Sequence, residues 1–257
     1  MRLIKLEIAI MTCFVLLQQV IAQENPQSGH AIMIQAAIAG TISCNDPRIL
    51  SMGANATADL PTGVTHKDSN FMMCVALRLI RGNRIALPPG LGKTWLFTTA
   101  HSSAINSMTQ WLPTTQLQVV AFDSMAGFVN YDPDEEAFVI AHEIGHVQDW
   151  QNCQTLKAQK LNQALILKGH AFTKGQQTCE ENADFYGLQY MWGAGFNPYA
   201  AGAIMGRLEM YAPDQTRGIG AIINNFVSDH PISPERTRKL REEMIQLCSQ
   251  PGTLCRP

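Results

Sequence analysis

The feature that most constrains this chain is Ala141-His142-Glu143-Ile144-Gly145-His146, set inside a stretch whose start is marked for a helix. Asp132 can cap, Pro133 suits the first helical position, and Glu135 stands three residues after the cap, as a capping box requires. The helix should reach about Trp150. On it, positions four apart project from one face, so the imidazoles of His142 and His146 can reach a single ion. Glu143 lies beside them, within reach of a water on that ion. A neutral imidazole gives one nitrogen to a metal and needs the other tied to an acceptor. Zinc lowers the pKa of a bound water to about 7, and an adjacent carboxylate can take the proton as attack begins. The pattern points to metal-assisted hydrolysis, weighed against chance occurrence of a short motif.

A catalytic zinc site takes three protein ligands and keeps one position open. The extended pattern His-Glu-x-x-His-x-x-Gly-x-x-His is not met, because Asp149 and Asn152 stand in place of the glycine and the third histidine. The third ligand must come from elsewhere. Glu180, in Glu180-Glu181-Asn182-Ala183-Asp184, is the best candidate. Asp184 lies on the same helical face and can accept from the far nitrogen of a ligand histidine. The plainer alternative is that acids in a first helical turn complement the dipole, which suits Glu181 best.

Thr178 with Glu181 reads as a second capping box, opening a helix to about Trp192. Asn197-Pro198 opens a third helix, from Tyr199 to about Met210, and Ser233-Pro234 a fourth, to about Leu247. Phe71 to Arg81 has helical apolar spacing, and residues 30–41 form an apolar, Ala-rich stretch too short to span a membrane. Residues 44–70 are rich in turn formers. Trp95 to Thr99 and Leu117 to Phe122 have the β-branched and aromatic mix of short strands. The fold class is therefore α+β and mainly helical, with a small β-sheet ahead of the metal helix.

With 46% apolar and 16% charged residues, the chain can bury one sizeable core. Its formal charge is -2 and it has no basic run interleaved with aromatics, which argues against nucleic acid as a partner. The start, Met1-Arg2-Leu3-Ile4-Lys5, is basic; an apolar run from Ile8 to Val20 follows, then the small-residue site at Ala22. That run is about 13 residues, short of the roughly 20 a bilayer span needs, so residues 1–22 read as a cleaved export signal, with a permanent anchor as the weaker reading. Residues 23–257 then form a single domain.

Removal of the signal leaves Cys44, Cys74, Cys153, Cys179, Cys248 and Cys255. An even number in an exported chain suggests three disulfides, and the sequence alone does not select their pairing. Pairing between sequence neighbours would join 44 to 74, 153 to 179 and 248 to 255. A structural zinc cluster built from them is disfavoured because there is no Cys-x-x-Cys pair.

Together, His142-Glu143-Ile144-Gly145-His146, Glu180-x-x-Ala183-Asp184, His230-Pro231 and Arg236 resemble the gluzincin metallopeptidases. That family includes the HtpX heat-shock protease, the CaaX prenyl endopeptidase, the mitochondrial OMA protease and periplasmic BepA and LoiP. The resemblance covers residues 115–245 and implies a zincin-like catalytic core; residues 23–110 have no counterpart in it. It implies an exported zinc endopeptidase, periplasmic or extracellular, with one Zn2+ on His142, His146 and Glu180 and with Glu143 as general base. Asp184 would support the ligands, and His230 and Arg236 would lie near the substrate carbonyl. An edge strand over 126–131, with Gly127, Phe128 and Val129, would pair with the substrate backbone. Substrates would be unfolded or misassembled proteins, as in envelope quality control. The absence of a span after the signal disfavours membrane-embedded substrates.

Taken alone, His230 reads as a surface or capping histidine and Arg236 as a solvated helix residue. His30, His66, His101 and His170 have no partner at ligand spacing and read as structural or exposed. The other classes in play are a secreted zinc-containing chaperone or assembly factor with a plugged site, and a disulfide-stapled binding module carrying the motif by accident.

Overall fold

A computed structural model describes residues 39–52, 60, 62–85, 96–103, 105–111, 117–153, 174–211, 230, 232–250 and 255. The export signal, the 30–38 part of the Ala-rich stretch, His170 and Pro231 lie outside the described residues. The described elements are α1 (Pro47–Leu50), α2 (His66–Gly82), β1 (Leu96–Ala100), β2 (Ser107–Trp111), β3 (Leu117–Phe122) and α3 (Asp123–Phe128). They continue with α4 (Pro133–Gln148), α5 (Lys174–Gly193), α6 (Tyr199–Tyr211) and α7 (Pro234–Cys248). The α+β class and the helical second half follow the sequence reading.

The metal helix α4 is the core of the molecule. Nearly every side chain from Glu135 to Val147 is buried, because α2, α5, α6 and the sheet pack around it. Its start follows from Asp132, whose side chain accepts from the backbone N–H of Asp134 at 2.9 Å and of Glu135 at 3.1 Å. Pro133 takes the first turn, and Asp134 and Glu135 complement the positive end of the helix. The reciprocal half of the capping box is not made, because Arg207 of α6 takes the Glu135 carboxylate instead. A complete box occurs at α2, where Thr65 and Asp68 cap each other.

The sheet has the order β1-β3-β2: β1 runs parallel to β3, and β2 runs antiparallel to it. The edge strand beside α4 is thus β2, not residues 126–131. Ala126 and Met125 belong to α3 and are fully buried, and Asn130 and Tyr131 have φ of 50° and 55°. Two successive left-handed residues cannot continue a strand; they turn the chain sharply into α4. The turn is held by Tyr131, whose hydroxyl donates to Asp68 at 2.5 Å. Gly127, Phe128 and Val129 therefore do not form the expected substrate-pairing strand. Helix α5 also begins earlier than expected, at Lys174, since the Glu181 carboxylate is engaged by Gln177 and Lys239 and caps nothing.

Three disulfides form in the neighbour pairing, Cys44–Cys74, Cys153–Cys179 and Cys248–Cys255, the mark of an oxidising compartment. Among the described residues no helix is long and apolar enough to cross a membrane.

Helices α4 and α5 share the most extensive contact in the fold, and it is close because of one glycine. A Cβ on Gly145 would lie 2.7 Å from the Ala183 carbonyl oxygen and 2.9 Å from its Cα, both backbone atoms. Gly145→Ala must push the helices apart, so it should cost about 1–3 kcal/mol by overpacking and show as a lower Tm. An unchanged Tm would contradict the contact. Nearer the start of α4, Glu136 is completely buried and neither carboxyl oxygen has a hydrogen-bond partner among the described residues. Burial pushes its pKa up to about 8, while the unfolded chain ionises near 4.5. Folding therefore loses up to about 1.4 kcal/mol per pH unit as pH rises between those values. Glu136→Gln, which does not titrate, should raise Tm above wild type by a larger margin at pH 8 than at pH 5; a constant margin would contradict the unpaired carboxyl.

Candidate metal centre

The α4–α5 contact brings the two halves of the predicted site together. His142 and His146 rise from one face of α4, and Glu180 faces them from α5, one residue after the disulfide to Cys153 that ties α5 to the end of the metal helix. His142 Nε2 lies 3.3 Å from Glu180 Oε2, and His146 Nε2 lies 3.4 Å from Glu180 Oε1. His230 joins them: its Nδ1 is 3.1 Å from Glu180 Oε2 and 3.2 Å from His142 Nε2. One ligand atom from each of these four residues lies within 4.8 Å of the others, a group that could hold a metal ion.

The spacing fits a tetrahedral ion. Ligand atoms about 2.0–2.1 Å from zinc at tetrahedral angles stand about 3.3 Å apart, close to the 3.1–3.3 Å separations among His142 Nε2, His230 Nδ1 and Glu180 Oε2. The histidine chemistry fits too. His142 Nδ1 lies 2.9 Å from Asp184 Oδ1 without hydrogen-bond alignment; a carboxylate at that distance favours the proton on Nδ1, which leaves Nε2 for a metal. Asp184 is held in turn by Arg236, with Nε at 2.6 Å from Oδ2 and Nη2 at 2.8 Å from Oδ1. Arg236 Nη1 also lies 3.1 Å from Glu180 Oε2.

Arg236 is thus no solvated helix residue; it is buried against Asp184 and Glu180. It is 2% exposed and carries the charge that lets the buried Asp184 carboxylate stay ionised. Burial would raise the pKa of Asp184, but the Arg236 guanidinium outweighs it and the net shift is downward. Burial likewise opposes ionisation of Glu180, and the His230 and His146 imidazoles reverse that effect and hold its pKa well below the usual value. For His142, burial disfavours the cation, yet hydrogen bonds to Asp184 and Glu180 push its pKa up to about 9. For His230 the Glu180 and Glu143 carboxylates overcome burial in the same direction.

Glu143 is fully buried beside the group. Its Oε2 is 2.9 Å from the hydroxyl of Thr109 on β2, while Oε1 has no hydrogen bond and lies 3.3 Å from His230 Nε2. The sequence reading had not singled out Thr109 or β2, since Ser-Met-Thr-Gln-Trp lacks the β-branched density that marked β1 and β3. His66 begins α2, and His101 is an exposed partner of Asp123; neither approaches the group.

No protein-family model and no curated protein matches the chain.

Metal must displace the protons that the carboxylates hold on these imidazoles. With the His142 pKa near 9, zinc affinity should rise at least about tenfold per pH unit between pH 6 and 8. Competition with a chromophoric chelator across that range checks it, and a pH-independent affinity would contradict the hydrogen-bonded ligand set.

Proposed function

We propose that this chain is an exported zinc-dependent endopeptidase of the gluzincin type. The observation that carries the reading is the buried Glu143 carboxylate beside His142, His146 and Glu180, whose Oε1 makes no hydrogen bond among the described residues and lies 3.3 Å from His230 Nε2. His142, His146 and Glu180 would hold zinc, which would polarise a peptide carbonyl and make water a nucleophile near neutral pH. Glu143 Oε1 takes the proton of the attacking water and returns it to the leaving amine nitrogen, so the carboxylate ends the cycle as it began. Asp184 keeps the His142 tautomer fixed throughout, and Arg236 keeps Asp184 charged. In this reading β2, the edge strand packed against α4, takes the place assigned to 126–131 and pairs with an extended substrate. Such pairing suits unfolded or misassembled protein, because a folded substrate offers no free strand.

A second reading draws on His230. Its Nδ1 stands where a fourth ligand would, and a zinc site with four protein ligands is closed. A closed site fits a chaperone or assembly factor in which turnover is rare.

Glu143→Gln tests the first reading. The variant should keep one zinc per chain and lose at least about 100-fold in chelator-sensitive cleavage of casein; full activity would overturn the assigned base. His230→Ala separates the two readings by sign. Turnover falls with zinc retained if His230 supports the reaction, and rises if His230 plugs the open position.

A further inference from the structure

Strand β2 touches both side chains that flank the metal group. Thr109 Oγ1 is 2.9 Å from Glu143 Oε2 and also 2.9 Å from the Glu143 backbone oxygen. A threonine hydroxyl has one proton to give, and a carboxylate is the stronger acceptor of the two. Oε2 has no other hydrogen bond among the described residues, so Thr109 decides which carboxyl oxygen is spent on structure and which, Oε1, stays free.

The backbone of the same strand faces outward at this point. Ser107 donates its N–H to Asn106 Oδ1 at 2.9 Å, and its carbonyl lies 3.3 Å from His230 Nε2, so both of its backbone groups bond outside the sheet. In an antiparallel ladder this pattern repeats every second residue. Thr109, paired across from Val119 as Ser107 is from Ala121, therefore turns its N–H and C=O to the outer edge of β2, where no described strand pairs with it. One residue then presents its backbone to an incoming strand and its side chain to the base.

We propose that Thr109 is a positioning residue that couples pairing of an extended substrate on β2 to the alignment of Glu143. The inference rests on the endopeptidase reading and names the residue through which substrate recognition reaches the base. An added strand fixes the backbone of Thr109, and with it the hydroxyl that holds Oε2. Oε1, which makes no hydrogen bond among the described residues and lies 3.3 Å from His230 Nε2, is thereby held beside the metal group when substrate is present.

The test uses the zinc-loaded full chain and fluorescein-labelled unfolded casein. Thr109→Val keeps the shape and removes the hydroxyl; it should lower kcat about tenfold or more, with KM and zinc content within about twofold of wild type. Thr109→Ser restores the hydroxyl and should return kcat to within about threefold. Equal losses in both variants, or a kcat untouched by Thr109→Val, overturn the proposal. Should Thr109→Val fail to fold, Thr109→Ala removes the same hydroxyl without added bulk and is read in the same way. A second readout needs no turnover. Thr109→Val should lower Tm by several degrees in the wild type but by no more than about one degree in a Glu143→Ala background, and additive shifts contradict the contact. A wild type with no chelator-sensitive cleavage overturns the endopeptidase reading and this inference with it; an active wild type indifferent to Thr109→Val overturns only the inference.

Discussion

Helices α4 and α5 meet where Gly145 of one lies against the backbone of Ala183 of the other, and the metal group exists because of that approach. With no side chain at 145, Glu180 comes within 3.3–3.4 Å of both ligand histidines. Gly187 repeats the device one turn on, where a Cβ would stand 3.3 Å from the backbone nitrogen of His142. The disulfide between Cys153 and Cys179 fixes the same pair of helices covalently next to Glu180. Packing thus sets the distances, and chemistry follows from them.

Bringing Glu180, Asp184, Glu143 and three imidazoles into one buried volume is electrostatically costly unless each charge has a partner. Arg236 answers for two of the carboxylates, and it can do so only because α7 starts at the Ser233 cap and lays its first turn against α5. The histidines supply the remaining positive charge when no metal is present. Binding a divalent ion replaces those protons without changing the sign of the charge at the centre. The network is therefore suited to exchange protons for metal, and less suited to remain stable with neither.

The helical half of this arrangement was legible in the sequence, because its signals are local. Asp132-Pro133 and Ser233-Pro234 mark helix starts, and His142-x-x-x-His146 reads as one face without any knowledge of the fold. Glu180 and Asp184 were legible through their spacing and their resemblance to a family pattern. The edge strand was not. The family resemblance implied a strand at residues 126–131, where two left-handed residues at 130 and 131 turn the chain instead, and β2 is made a strand by its pairing with β3 more than by its own composition. The pairing of Arg236 with Asp184 was not legible, since burial of a guanidinium depends on helix packing that no local pattern records.

The central claim is that His142, His146 and Glu180 converge on one divalent ion. Zinc K-edge absorption spectroscopy on the purified full chain tests it most directly. The account predicts about one zinc per chain in a shell of nitrogen and oxygen at about 2.0–2.2 Å, with two or three imidazoles and one carboxylate and no sulfur at about 2.3 Å. A sulfur shell, or a protein that folds with its three disulfides and retains no stoichiometric metal, would contradict it.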